Sequence, residues 1–328
     1  MWNAASSNFV RRADQPNAPG SDAWGITIVL DAYAYMVEGG LLKPADLKRY
    51  FLSSSALYEK TNGSHGNRIL ARQGSQFYVG GDDDLQWCAA LVHCFAATKD
   101  SEYLNAAKFA FNGLVELGFW KDGTQDASGA KGWSWNSNDR RPNGVSTAYG
   151  ALSAARLFKV TGDKIYQQWA LASLNALETP QVGFFPRDMM VAADAALTIF
   201  EVTKEMKWRV AAENFYAAAT MNAFSKANAI PNYNPTDVGD IADGMLHFAA
   251  VLPKTKYAKT RALIPINTFL HDRTNEDIAE HGFYSKYDTK GHAITTAGQS
   301  YLGVPLNVPY LPEVAEMLKL FAIAYKLG

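Results

Sequence analysis

The stretch VSTAYGALSAARLFKVTGDKIYQQWALASLNALE, residues 145–178, decides the architecture. Its apolar positions recur at helical spacing on both sides of Thr161-Gly162-Asp163, where glycine stops one helix and aspartate caps the next. The alanines at 151, 154 and 155 mark a surface that a second helix can approach closely. The segment reads as a helical hairpin.

The same pattern runs outward in both directions. Helix pairs are expected at 22–38 with 44–60, 83–98 with 101–118, 189–204 with 206–223, 239–251 with 256–270, and 293–302 with 311–327. Lys99-Asp100-Ser101 repeats the stop-and-cap signal. Successive pairs start roughly 45–60 residues apart, which is a hairpin repeat. Strand-like alternation is confined to short loop pieces. Turns within a pair are short, whereas the chain between pairs runs through 61–82, 119–144, 179–188, 224–238 and 271–292. Long connections of this kind usually carry function. Alternation of inner and outer helices would put them all on one face. Six hairpins closed in a ring make an all-α (α/α)6 barrel, and the same hairpins stacked openly make a superhelical solenoid. With no Pro/Gly/Ser linker or shift in composition, residues 1–328 read as a single domain.

Composition narrows the function. The 328 residues carry 31 Lys+Arg and 32 Asp+Glu, a net charge of −1, and 48% are hydrophobic. A disordered chain, a basic nucleic-acid binder and a polybasic membrane binder are all excluded. No apolar run approaches the ~20 residues of a membrane span. Cys88 and Cys94 stand six residues apart on one expected helix, about 9 Å, too far for a disulfide, and read as two buried thiols. The sequon Asn62-Gly63-Ser64 fits a secreted protein.

Aromatic residues make up 12% of the chain. Many fall in the long connections: Phe77, Tyr78, Phe119, Trp120, Trp133, Trp135, Phe184, Phe185, Tyr233, Phe283, Tyr284 and Tyr287. Beside them stand His65, Arg68, Asp139, Arg140, Arg187, Asp188 and His281. Aromatic faces next to planar hydrogen-bonding groups suit sugar rings, which present apolar C–H patches and a rim of hydroxyls.

The sharpest local feature is Gly80-Gly81-Asp82-Asp83-Asp84-Leu85-Gln86-Trp87. One aspartate at a helix start is a routine cap and a second favours the helix dipole. The third adds like-charge repulsion, which raises the pKa of at least one member and can set a protonated acid beside an ionised carboxylate. Glycoside hydrolysis needs such a pair, one group protonating the departing oxygen and the other attacking the anomeric carbon or activating water. Adjacent positions can bring the two carboxyls to the ~5–5.5 Å of a retaining enzyme. An Asp-Asp-x-x-Asp magnesium motif is not present, since Gln86 and Trp87 stand four residues after Asp82 and Asp83. The histidines show no ligand spacing, and His93 and His247 read as helix packing. Asp237, Asp240 and Asp243 read as capping or solvated residues rather than a calcium site. No metal or cofactor is implied.

Asp83-Asp84-Leu85-Gln86-Trp87 with Ala89-Ala90-Leu91 resembles the Asp-Asp-x-x-Trp helix start of glycoside hydrolase family 76, the endo-α-1,6-mannanases and related fungal cell-wall transglycosylases. Gly132-Trp133-Ser134-Trp135, Asn143-Gly144-Val145-Ser146 and Ala154-Ala155-Arg156-Leu157 through Thr161-Gly162-Asp163 are similar to its Trp-rich loop, helix start and hairpin turn. Two departures stand out: Cys88 replaces a second tryptophan, and Pro186-Arg187-Asp188-Met189 replaces a Tyr-Asn-Gln-Gly-like stretch.

The resemblance implies the closed (α/α)6 barrel and a retaining hydrolase without cofactor, acting on an α-linked polysaccharide, α-1,6-mannan first. It implies Asp83 as nucleophile and Asp84 as acid/base. Trp87 would wall the site or anchor the core of its inner helix, Trp133 and Trp135 would stack on sugars, and Asn143 would bind hydroxyls. Tyr78, Arg187 and Asp188 are expected to add substrate contacts, Asp188 alternatively serving as a helix-start cap, with Asp82 in a capping or electrostatic role. The expected protein is a monomer, extracellular or attached to the cell wall. The alternatives are a transglycosylase and a non-catalytic glycan-binding barrel.

Overall fold

The computed structural model describes residues 2–3, 8–9, 23–55, 58–60, 69–73, 76–124, 129–179, 184–223, 235–253, 300–301, 304–305 and 311–327. The expected helix at 256–270, most of that at 293–302, and His65, Arg68, Tyr233, His281, Phe283, Tyr284 and Tyr287 lie outside them. Two compact units are formed, residues 55–219 and residues 1–54 with 220–328.

The first unit holds three hairpins. They are α3 (Gly81–Thr98) with α4 (Ser101–Glu116), α5 (Gly144–Thr161) with α6 (Lys164–Leu177), and α7 (Pro186–Thr203) with α8 (Met206–Ala223). Helix α5 packs against α3, α6 and α7. Burial separates two kinds of helix. In α5 the buried run is unbroken from Gly144 to Ala155, and in α7 from Met190 to Ile199, so these helices are enclosed on all sides. In α4 and α6 only one stripe is buried: Tyr103, Ala107, Ala110, Phe111 and Leu114, then Tyr166, Ala170, Leu174 and Leu177. A helix apolar all round belongs inside and a striped one at the surface, which is the inner–outer alternation expected.

The three turns share one construction. Thr98, Thr161 and Thr203 each donate a side-chain hydrogen bond to the carbonyl four residues back, at 2.7, 2.7 and 2.9 Å. Each hydroxyl then accepts the backbone N–H of Asp100, Asp163 or Glu205. The residue between is left-handed in every case: Lys99 at φ 63°, Gly162 at 72° and Lys204 at 58°. Asp100 and Asp163 cap the following helices through the N–H of Glu102 and Ile165.

Inside the unit, Arg156 of α5 ties the inner helices together. It meets Asp194 of α7 at 3.0 Å and reaches the Ala89 carbonyl of α3 at 3.4 Å, while Ser153 donates to the Leu85 carbonyl at 2.5 Å. Cys88 and Cys94 are buried thiols, and burial pushes Cys88 up to about 12.

Short antiparallel ribbons occupy the connections, more of them than the sequence pattern suggests. Besides the pair β1 (Trp2–Asn3) with β2 (Asn8–Phe9), strands β3 (Tyr58–Lys60), β4 (Ile69–Gln73) and β5 (Gln76–Tyr78) form one sheet, and β6 (Trp120–Asp122) pairs with β7 (Lys131–Trp133). Residues 58–60 are therefore strand rather than the end of a helix, and Ser300–Tyr301 is likewise a strand.

In the second unit α1 (Ala23–Glu38) and α9 (Pro235–Val251) both pack on α10 (Leu311–Leu327), and α2 spans Pro44–Ser55. Asp240 and Asp243 do not face solvent as expected. The buried Lys319 ammonium lies 2.9 Å from Asp31, 3.5 Å from Asp240 and 3.9 Å from Asp243, and Tyr35 donates to Asp243. Three carboxylates around one cation leave excess negative charge in a desolvated place. The Asp243 carboxyl is raised to about 6, by burial first and by Asp31, against the lowering pull of Lys319, His247 and Lys326. Among the described residues no helix is long and apolar enough to cross a membrane.

Lysine in a left-handed turn carries a steric cost that glycine lacks. Lys99→Gly and Lys204→Gly should each stabilise the protein by up to about 1 kcal/mol, and Gly162→Ala should destabilise it, measured by urea denaturation. Asp243 predicts a pH effect. Its raised pKa means that the folded state holds the proton more tightly than the unfolded state does. Its stabilising contribution is full below the unfolded carboxylate value and is lost as pH rises through about 6. The stability of the parent protein relative to Asp243→Asn should fall between about pH 4 and pH 6 and level off above; a flat difference would contradict the assignment.

Candidate active site

The acidic triplet forms the first turn of α3, where Asp84 N–H donates to the Gly80 carbonyl at 2.9 Å. The capping position is Gly80, which has no side chain to satisfy the turn. Instead the Asp83 carboxylate folds back over it, so a Cβ at position 80 would lie 2.7 Å from Asp83 Oδ2. Asp84 is buried, at 4% exposure, and Asp82 and Asp83 are half-buried.

The turn is held by the loop after β7. Gly81 N–H donates to the Trp135 carbonyl at 2.6 Å, and the Ser137 N–H donates to the Val79 carbonyl at 2.8 Å. The fit at Gly81 is close: a Cβ there would stand 2.2 Å from the Ser134 carbonyl oxygen. The loop is fixed in turn by Trp133. Its backbone N–H donates to Thr147 Oγ1 at 3.1 Å, its indole N–H donates to Ser173 Oγ at 2.9 Å, and its ring sits where a side chain at Gly150 would be, 2.4 Å from an ideal Cβ. Phe111, Trp120 and Trp169 pack around it at ring separations of 5.3, 5.8 and 5.5 Å. Arg140 lies over the Phe119 ring at 4.1 Å and donates to the Leu117 carbonyl, closing the base of the loop.

The fold itself takes up several of the residues expected to contact substrate. Trp133 and Trp87 have 0% exposure. Neither ring has a face for a sugar, because the aromatic cluster and the α3 core already occupy them. Asn143 is the cap of α5: its side-chain oxygen accepts the N–H of Val145 at 2.9 Å and of Ser146 at 3.4 Å. Asp188 is fully buried, with one carboxylate oxygen accepting Phe185 N–H at 2.9 Å and the other paired with Arg187 Nε at 3.2 Å. It shapes the start of α7 and offers nothing to solvent. Tyr78 ends β5, and its side chain lies outside the described residues.

Asp82, Trp135 and Arg187 remain together. Trp135, 44% exposed, donates its indole N–H to Asp82 Oδ2 at 3.1 Å. Burial raises the Asp82 carboxyl above the usual carboxylate range, opposed by the Asp83 N–H, the Trp135 indole and the charge of Arg187. Phe185, 55% exposed at the start of α7, is a second open aromatic near Arg187. The sequence marks it only as one aromatic among many, since exposure has no local signature. Among the described residues no three or more His, Cys, Asp or Glu side chains are grouped to hold a metal ion.

Comparison of the sequence with protein-family models and with curated proteins gives no match. Solved structures do match in fold. A family 76 glycoside hydrolase from a bovine Bacteroides thetaiotaomicron strain aligns over 98% of this chain and 73% of its own, with TM-score 0.78 and 15% identity. An inactive variant of an α-1,6-mannanase of Salegentibacter sp., two consecutive aspartates changed to asparagine, in complex with α-1,6-mannotriose, aligns over 100% and 95%, with TM-score 0.73 and 12% identity. Dfg5 from Chaetomium thermophilum, in complex with glucosamine, aligns over 97% and 84%, with TM-score 0.70 and 13% identity. The chain shares the fold of the family 76 structures, which are α/α barrels.

Gly81→Ala should displace the 134–135 backbone from the acidic turn. Overpacking of this kind costs roughly 1–3 kcal/mol. A lowered melting temperature in calorimetry is the expected result, and an unchanged one would mean that the loop and helix start are not in contact.

Proposed function

We propose that this protein is a single-domain glycoside hydrolase of family 76, a retaining enzyme that cleaves α-1,6-mannan internally without a metal. The observation that carries the reading is the Asp83–Asp84 pair in the first turn of α3, beside an exposed tryptophan, on a fold shared with α-1,6-mannanases. The inactive Salegentibacter variant, changed at two consecutive aspartates, supports assigning chemistry to such a pair.

In this reading Asp83 attacks the anomeric carbon while Asp84 protonates the departing glycosidic oxygen. The covalent glycosyl-enzyme is then released by water that gives its proton to Asp84. The Gly80 backbone leaves room for the Asp83 carboxylate, and the clamp of 134–135 on Gly81 fixes where both carboxylates start. Trp135 offers an apolar ring face to a sugar, and Arg187 with Tyr78 extends the contacts. We assign the protein to the cell exterior or wall as a monomer.

A second reading, transfer of the glycosyl group to a sugar acceptor, uses the same intermediate and is supported by the likeness to Dfg5. The test is product analysis on α-1,6-mannan and manno-oligosaccharides. Shortened products that retain anomeric configuration are expected, and longer ones at high acceptor concentration would favour transfer. Asp83→Asn and Asp84→Asn should each lower the rate at least about a hundredfold. Full activity in both variants would remove the mechanism, and binding without turnover by the parent protein would make it a glycan-binding barrel.

A further inference from the structure

We propose that Asp82 is a positioning residue whose carboxylate holds the exposed Trp135 ring in place as the sugar platform beside Asp83 and Asp84. The inference rests on the glycosidase reading above and assigns the one carboxylate of the triplet which that chemistry leaves unused.

Three observations converge on it. First, among the described residues Trp135 has no aromatic ring partner, unlike Trp133, two residues earlier. Trp133 is locked by a cluster and a hydroxyl, whereas Trp135 is 44% exposed with its indole N–H directed at Asp82 Oδ2, 3.1 Å away. An indole is a donor only, so a carboxylate is its natural anchor, and a charge-assisted bond is stronger than a neutral one. Second, Asp82 stands in the first turn of α3, where its carboxylate accepts from the Asp83 N–H and feels the positive charge of Arg187 from α7. Arg187 is in turn held by the buried Asp188, which caps α7. Trp135 and Asp82 thus link the loop after β7 to the start of α3, while Asp188 holds Arg187 at the start of α7. Third, the backbone carbonyl of Trp135 accepts the Gly81 N–H. The residue is joined to the acidic turn at both its main chain and its side chain, so its ring keeps a set position relative to Asp83 and Asp84.

A ring held in this way presents its face without losing rotamer freedom when a sugar docks, which favours binding. Losing the latch should therefore weaken substrate binding and leave the chemical step largely in place.

The experiment is steady-state kinetics of the full chain on α-1,6-mannotetraose, comparing Asp82→Ala, Asp82→Asn, Trp135→Phe and the double variant Asp82→Ala with Trp135→Phe. Trp135→Phe keeps an aromatic face and removes the N–H. Both Asp82→Ala and Trp135→Phe should raise KM by roughly five- to tenfold with a much smaller effect on kcat. The double variant should be no worse than either single one, since both remove the same bond. Asp82→Asn, whose amide oxygen still accepts from the indole, should recover most of the loss. A change at residue 82 that acted only on stability would not show this rescue together with non-additivity. Should Asp82→Ala fail to fold, Trp135→Phe against Asp82→Asn tests the same bond from its exposed end. Unchanged KM in Trp135→Phe, additive losses, or a collapse of kcat in Asp82→Asn would each overturn the assignment. A parent protein that neither cleaves nor binds any α-mannan would instead overturn the glycosidase reading, and with it this inference.

Discussion

The position of the acidic turn depends on one packing event, the insertion of the Trp133 ring into the space left by the missing side chain of Gly150. The ring is held by the Ser173 hydroxyl and three aromatic neighbours, so the strand carrying it cannot slide. Two residues on, the Trp135 carbonyl meets the Gly81 N–H and the Ser134 carbonyl fills the place of a Gly81 side chain. A buried indole therefore registers a loop, and the loop registers the start of α3. Protein interiors pack too tightly for such a ring to shift independently of its surroundings.

The same logic governs the buried charges. Arg156 and Asp194 form a matched pair, with the Ala89 carbonyl in reach of the guanidinium, at the centre of three enclosed helices. Lys319 faces three carboxylates instead, and burial, with the charge of Asp31, makes the Asp243 proton hard to remove. A buried pair is weak evidence for stability because desolvation offsets its attraction. What both arrangements do supply is register: each cation has partners on more than one helix, and sliding a helix by a turn would strand a charge.

Helices were legible in the sequence because their signals are local. Thr161-Gly162-Asp163 and Lys99-Asp100-Ser101 announce turns whose hydrogen bonds are made within five residues, and the structure forms them there. The Thr203-Lys204-Glu205 turn has the same chemistry. Trp87 and Trp133 were harder to place, since a tryptophan in a polar loop and one in an aromatic cluster look alike until the neighbours are known. Asp188 and Asn143 carry the opposite lesson: short polar side chains at helix starts are first of all caps, and both spend their oxygens on backbone N–H groups.

By itself, then, the sequence determined the three hairpins between residues 81 and 223, their turns and the three adjacent carboxylates at a helix start, because periodicity, left-handed turns and capping are set by residues close in the chain. Only the tertiary structure decided which aromatic rings are open. It also decided which aspartates are consumed by the fold and which one meets an indole. Exposure and partnership depend on residues tens of positions away, as with Trp135 and Asp82 or Trp133 and Ser173. Such separations leave no local pattern to read, and packing alone selects among the chemically equivalent side chains.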